Sequence, residues 1–277
     1  MKIGFVADLF REQHLGGGEC NDETLIKYLI QRGHSVEKIR CADFDEEKIN
    51  SHDVFIVGNF IGLQEKYKIA LQAKKYIIYE HDHKYLTTRD PSRFKDFLAP
   101  PEAIINRDFY KNARAVVVLS QICKDIIEKN LDISNIHNIG CSLWTDEKFN
   151  LIESLIPDEK NKKYALLKSA NPVKGFQPAY AYCQKSNIEI DIIEPCPEKE
   201  LLTQLSQYKV FVFFPQVLET FCRLAAEAKM LKCKLLTTPN MLGFYSEECC
   251  KLEGIELLQD LRNRRDNAFE LFERLIK

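Results

Sequence analysis

The stretch Val210-Phe211-Val212-Phe213-Phe214-Pro215-Gln216-Val217-Leu218-Glu219-Thr220-Phe221-Cys222-Arg223-Leu224-Ala225-Ala226-Glu227-Ala228 decides the fold. The unbroken apolar run Val210–Phe214 predicts a strand buried on both faces. Pro215 opens a loop, since proline cannot donate to a central ladder. A helical pattern covers Phe221–Leu231, and Lys234–Thr237 reads as the next strand. Strand, helix and strand in succession form a parallel βαβ unit.

The same alternation extends upstream. Tyr164–Leu167 and Ile188–Ile193 are strand candidates, and Ser169–Gly175 is the loop after the first of them. Glu256–Lys277 closes the chain as a charged amphipathic helix. The first half repeats the scheme, with strand runs at Lys2–Ala7, Ser35–Ile39, Val54–Val57, Tyr76–Tyr79, Ala115–Leu119 and Asn135–Ile139. Asn21–Gln31 has helical spacing and stops at Gly33, and Ser120 is placed to cap a helix through Glu128. The charged run Asp146–Lys163, with Pro157, marks the boundary. The expected organisation is residues 1–150 and residues 151–277, with the terminal helix free to pack back on the first domain. Each half predicts a Rossmann-like, doubly wound α/β domain. Such sheets bind ligands at the carboxyl ends of their strands, in a cleft when two domains face one another.

Bulk composition agrees with this class. At 277 residues the chain is longer than one core usually serves. Lys and Arg total 39 against 41 Asp and Glu, a formal charge of -2. A broad cationic coat for nucleic acid is therefore not expected, although a local basic groove such as Lys84–Lys95 remains open. The N-terminal apolar run is broken by Asp8 and Arg11, so neither a secretory signal nor a membrane span is expected, and the setting reads as cytoplasmic. None of the 10 cysteines forms a C-x-x-C pair, and they read as reduced, mostly buried thiols.

The chemistry-bearing residues lie in loops after strands. Glu219 and Glu227 have seven residues between them. With a helix starting near Thr220, its amides and dipole suit a diphosphate, and Glu227 follows two turns on. The bland alternative is a solvated helix face on which Glu219, Arg223 and Glu227 form i,i+4 pairs. Lys168-Ser169-Ala170-Asn171-Pro172-Val173-Lys174-Gly175 follows a strand. Tyr79-Glu80-His81-Asp82-His83-Lys84-Tyr85 follows another. His81 and His83 read either as ordinary loop histidines or as metal ligands, but no third ligand has matching spacing. Gly16-Gly17-Gly18-Glu19 gives a loop that allows close backbone approach, and it is not a G-x-G-x-x-G fingerprint.

The Pro215–Ala228 stretch resembles the E-x7-E segment of glycosyltransferase family 4. Pro215, Glu219, Phe221, Glu227 and Ala228 match, while Gln216 and Cys222 stand where relatives have Ser and Gly. Lys232 and Lys234 stand where relatives often have Gly and Pro. Lys174 and Gly175 match the family's R-x-x-x-x-K-G segment. Its Arg falls on Ser169, leaving Lys168 or Arg223 as substitute cations. His81-Asp82 is similar to the family's H-D pair, and Gly16–Glu19 to its Gly-Gly loop. Asn112–Ser120 and Ile136–Gly140 are weaker echoes.

The resemblance implies a GT-B fold and a retaining transfer of a sugar from a nucleoside-diphosphate sugar to an acceptor hydroxyl. It implies His81, Glu219 and Lys174 in catalysis. Gly17, Gly18, Lys174, Glu219, Thr220, Phe221, Cys222, Arg223 and Glu227 would hold the donor, with Glu227 on ribose. Glu19, His81 and Asp82 would face the acceptor. No cofactor or metal is implied, so Asp8, Asp43 and Asp45 are not read as a D-x-D metal site. The acceptor is a glycan, a lipid, a small molecule or a modified DNA base. Peripheral membrane contact through Phe94, Phe97 and Leu98 is compatible with it. The rivals are a phosphorylase or epimerase of the same architecture, a degenerate sugar-nucleotide-binding protein, and a DNA-base glycosyltransferase of viral type.

Overall fold

The computed structural model describes residues 1–277, which group into two compact units. Met1–Trp144 and Arg264–Lys277 form the first, and Thr145–Asn263 the second. The first runs β1 (Lys2–Ala7), α1 (Gly17–Gln31), β2 (Ser35–Arg40), α2 (Glu46–Ser51), β3 (Val54–Val57), α3 (Glu65–Leu71), β4 (Tyr76–Tyr79), α4 (Arg107–Lys111), β5 (Ala115–Val118), α5 (Gln121–Leu131) and β6 (Ile136–Asn138). The second runs α6 (Asp146–Ser154), β7 (Lys162–Leu167), α7 (Phe176–Lys185), β8 (Asp191–Ile193), α8 (Glu198–Leu205), β9 (Tyr208–Phe213), α9 (Arg223–Met230) and β10 (Lys234–Thr237). Helix α10 (Gly254–Ile276) follows.

Both sheets are parallel throughout. The first has strand order β2-β1-β3-β4-β5-β6, and the second β10-β9-β7-β8. Every residue of β3, β4 and β5 is buried, because helices cover both faces of a doubly wound sheet. In each order the winding reverses once: between β1 and β3 in the first sheet, and between β7 and β9 in the second. The loops leaving those strands therefore diverge to opposite faces and leave a crevice at the carboxyl ends.

The strands fall where the apolar runs placed them. The helix starts do not. Helix α1 begins at Gly17, so Gly17, Gly18 and Glu19 form its first turn instead of a free loop. Gly18 lies close under His81, where a Cβ would be 3.3 Å from the ring. Helix α9 begins at Arg223, not near Thr220. The cause is Cys222, whose φ of 74° is left-handed and cannot continue a helix. That is the position at which the resembled family has glycine.

The units divide at Trp144/Thr145, ahead of the expected boundary at 150/151. Thr145 caps α6 by accepting the Lys148 amide, and α6 packs on α9 of the second unit. The first half of the charged run expected to mark the boundary is therefore a helix with a buried face. At the other end, Tyr28 and Phe269 stack at 4.1 Å, Phe272 meets Tyr79 at 5.0 Å, and Arg265 donates to the Trp144 carbonyl. These contacts place the last part of α10 with the first unit. No helix is long and apolar enough to cross a membrane. Phe94 and Phe97 are half-buried, so of that trio only Leu98 is exposed.

Candidate functional site

In the second unit the two loops at the sheet's reversal point are fastened to one another. Gln216 donates its amide to the Val173 carbonyl at 2.8 Å. Gly175, with φ of 69°, lies against the Phe214 carbonyl, and any Cβ there would collide with that oxygen. Glycine is thus required twice over, by conformation and by close approach. The fastening brings Lys174, from the loop after β7, onto Glu219, from the loop after β9. Their Nζ–Oε1 distance is 2.7 Å.

The backbone of Glu219 is fixed independently of this pair. Its amide donates to the Met241 carbonyl and its carbonyl accepts from Gly243, forming a parallel bridge to Leu242. Lys174 is about half exposed. Partial burial pulls its ammonium down, but the Glu219 carboxylate more than offsets this and holds it above its usual value. Cys222 is buried beside them. Burial, then the Glu219 charge, pushes its thiol up, so it is an unreactive neighbour.

Glu227 is buried and sits 3.5 Å from Nζ of Lys148, whose ammonium also meets Glu198 at 2.7 Å. With Glu227 buried and Glu219 ahead of α9, the pair does not occupy a solvated helix face. Lys148 was hidden from sequence reading by the charged run around it. Thr220 and Phe221 lie in the loop before α9, where the Phe221 carbonyl accepts the Phe244 amide. Arg223 is the first residue of α9. Lys168, one candidate substitute for the missing arginine, is paired with Glu194 at 2.8 Å.

The first unit has its own cluster at the β1–β3 reversal and the end of β4. His81 shares a hydrogen bond of 2.8 Å between Nε2 and Asp22 of α1, and both are buried. Asn59, after β3, donates to Glu19 at 3.3 Å. Asp82 faces Lys84 and Arg89 instead of standing open. Asp22, Asn59 and Tyr110 had no sequence signal, being far from His81-Asp82 along the chain. Asp8 accepts the amides of Ile61 and Gly62, Asp45 caps α2, and Asp43 pairs with Arg40. No three His, Cys, Asp or Glu side chains converge as a metal ion would require.

Beneath this cluster lies a buried charge network. Lys84 donates to Glu80 at 2.7 Å, to Asp82 at 2.6 Å and to Asn59 at 3.2 Å, and Tyr110 donates to the other Glu80 oxygen. Burial pushes the Glu80 carboxyl up, but Lys84 and Tyr110 outweigh it and hold it down at about 2. His83, buried against Cys123, is pushed down by burial despite nearby carboxylates. The signs give a pH prediction. Glu80's folded value lies below its ordinary 4.5, so its stabilisation is complete above that pH and is lost as pH falls through the folded value. Burial holds the folded His83 below its ordinary 6.5, so protonation of the unfolded chain removes stability as pH drops below that value. The denaturation midpoint of the first unit should therefore fall in two stages on acidification, and His83→Gln should remove the upper one. A midpoint constant from pH 7 to pH 3 would contradict both assignments.

No family model matches the chain, and no curated protein matches it. Solved structures do. One is an alpha-glucosyltransferase in complex with UDP and a 13-mer DNA containing an HMU base; the TM-score is 0.51 at 12% identity, covering 100% of this chain and 95% of that one. Another is HepE of Anabaena in complex with UDP and glucose, with a TM-score of 0.54 at 12% identity over 99% of this chain and 100% of that one. The fold is one that a solved glucosyltransferase shares. It is the α/β class with two parallel sheets that the sequence implied, the GT-B class. At this identity the likeness concerns fold alone.

Proposed function

We propose that the chain is a nucleotide-sugar glycosyltransferase of the GT-B type, using a UDP-sugar and retaining configuration at the transferred carbon. The observation that carries this is the Lys174–Glu219 pair at the reversal point of the second sheet, with buried Glu227 in the helix that follows. The solved neighbours bound to UDP support the choice of nucleotide. In this reading Lys174 releases Glu219 and meets the diphosphate, neutralising the charge that grows on the leaving oxygen. Glu219 then orients hydroxyls of the sugar. Glu227, held by Lys148, accepts the ribose hydroxyls. The bond from the anomeric carbon to the phosphate oxygen breaks, and a bond to the acceptor oxygen forms. The acceptor's proton leaves with the diphosphate. Positive side chains and backbone amides carry the charge stabilisation, and His81, oriented by Asp22, belongs to the acceptor side with Glu19 and Asp82.

Thermal stabilisation by nucleotides tests the reading. At about a hundred times its dissociation constant UDP should stabilise by roughly 2.7 kcal/mol, and GDP, ADP and CMP less. The shift should vanish in Glu227→Ala. No shift with any nucleotide would replace the reading with a fold-sharing protein that has lost its donor site. The neighbour solved with DNA favours one acceptor in particular, a hydroxyl on a modified base. Binding of such DNA that weakens steeply with salt would support that acceptor, and salt-insensitive or absent binding would remove it.

A further inference from the structure

Between β4 and α4 the chain makes a long excursion, Glu80–Asn106, with no regular helix or strand beyond single turns. Five of the nine non-glycine residues with positive φ fall in it: His83, Arg89, Asp96, Phe97 and Asn106. Left-handed conformations at bulky residues persist only where surrounding contacts impose them, and they gather at ligand sites. Two sets of contacts fasten the excursion. The Lys84 network anchors one end. An antiparallel bridge between Leu86 and Ile104, flanked by amide bonds from Thr87 to Ala103 and from Ile105 to Tyr85, pins the other.

The pinned excursion walls a cavity of about 140 Å³, open to solvent. Phe60 and Ile61, from the loop after β3, and Lys68, from α3, complete it. No acid lines it. The carboxylates that pair with its cations are not among its lining residues: Glu80 and Asp82 meet Lys84, Asp82 also meets Arg89, and Glu65 meets Lys68. What faces the cavity is a donor set. Arg89 is about half exposed and spends one arm of its fork on Asp82. Lys68 donates to Asn106 at 2.9 Å and to Glu65 at 3.3 Å, stands 5.9 Å from the Phe60 ring centre, and has one N–H left to give. The Thr87 hydroxyl adds a third donor. Ile61 and Ile105, 54% and 40% exposed, form an apolar lip. A planar fork, an ammonium and a hydroxyl suit a dianion with several acceptor oxygens, and the lip suits an apolar body attached to it.

We propose that this cavity is a binding site for an organic phosphate, a phosphate monoester with an apolar or aromatic body. Arg89 and Lys68 hold the phosphate, Thr87 donates to it, and Ile61 and Ile105 cover the body. Its residues are separate from Lys174, Glu219 and Glu227, so it goes beyond the donor reading and does not depend on it.

Phenyl phosphate, phenol and inorganic phosphate are the probes, titrated calorimetrically into the full chain with and without saturating UDP. Phenyl phosphate should bind at least about tenfold more tightly than either fragment, a gap of about one decade in dissociation constant. UDP should leave that affinity unchanged. Arg89→Gln and Lys68→Gln, on different elements, should each weaken it about tenfold or more while keeping the wild-type melting temperature. Phenol binding as well as phenyl phosphate would overturn the proposal, as would inorganic phosphate doing so. Competition by UDP together with indifference to both substitutions would assign the phosphate to the second unit and overturn it too. Phenyl phosphate binding in a chain that ignores UDP would uphold this site while removing the donor reading.

Discussion

Replacing Lys84 with methionine is expected to destabilise the first unit by about 3–5 kcal/mol, the largest effect of any single change considered. Lys84 is 2% exposed and donates to Glu80, Asp82 and Asn59. Methionine fills similar volume, so packing changes little. What changes is that Glu80, itself buried, keeps its charge with only Tyr110 and the Asp82 amide to hold it. A carboxylate left so must either stay charged in a poor environment or take up a proton. The double change Lys84→Met with Glu80→Gln should therefore recover a large part of the loss. Urea denaturation with an unchanged slope would measure it. A loss below about 1 kcal/mol, the range of exposed pairs, would mean that the network is solvated and contributes little.

Lys174→Ala is expected to act in the opposite manner, on chemistry and not on folding. Its ion pair with Glu219 is half exposed, and such pairs contribute about 0–1 kcal/mol to stability. Its role in the proposed reaction is to face charge that develops on the diphosphate. Removing one such group costs about 10²–10³ in rate. The release of UDP from UDP-glucose, with water or a supplied alcohol as acceptor, should fall by that factor while the melting temperature holds. Glu219→Gln should spare nucleotide binding more than Lys174→Ala does, because it acts on the sugar. Unaltered UDP release in Lys174→Ala would remove the lysine from the donor site and weaken the whole functional reading.

The two substitutions differ because the same type of ion pair occurs in two environments, and that difference is invisible along the chain. Lys84 and Lys174 both follow strands and both stand in polar loops. In one case a long excursion folds over the ammonium. In the other a turn leaves it near solvent. Cys222 teaches a related lesson. Its place in the E-x7-E stretch looked like a substitution of a small residue by a slightly larger one. Its left-handed φ, one that glycine adopts freely, shows why the helix starts later than periodicity suggested. The glycine run at Gly16–Glu19 erred in the other direction. Glycine allows positive φ and close backbone approach, so the run reads as a loop, yet Gly17–Glu19 form the first turn of α1, with Gly18 beneath His81.

By itself the sequence determined the ten strands, their alternation with helices and the two parallel sheets that follow. Those features rest on apolar runs and helical spacing, which each segment carries within itself. The tertiary structure alone decided which charged side chains meet: Lys174 with Glu219 across 45 positions, His81 with Asp22 across 59, and Glu227 with Lys148 of a helix in the run expected to mark the boundary. It also decided which of these meetings are buried. Local periodicity records a residue's own face and neighbours, whereas pairing depends on strand order and on how loops fold over the sheet ends, and no segment carries either within itself.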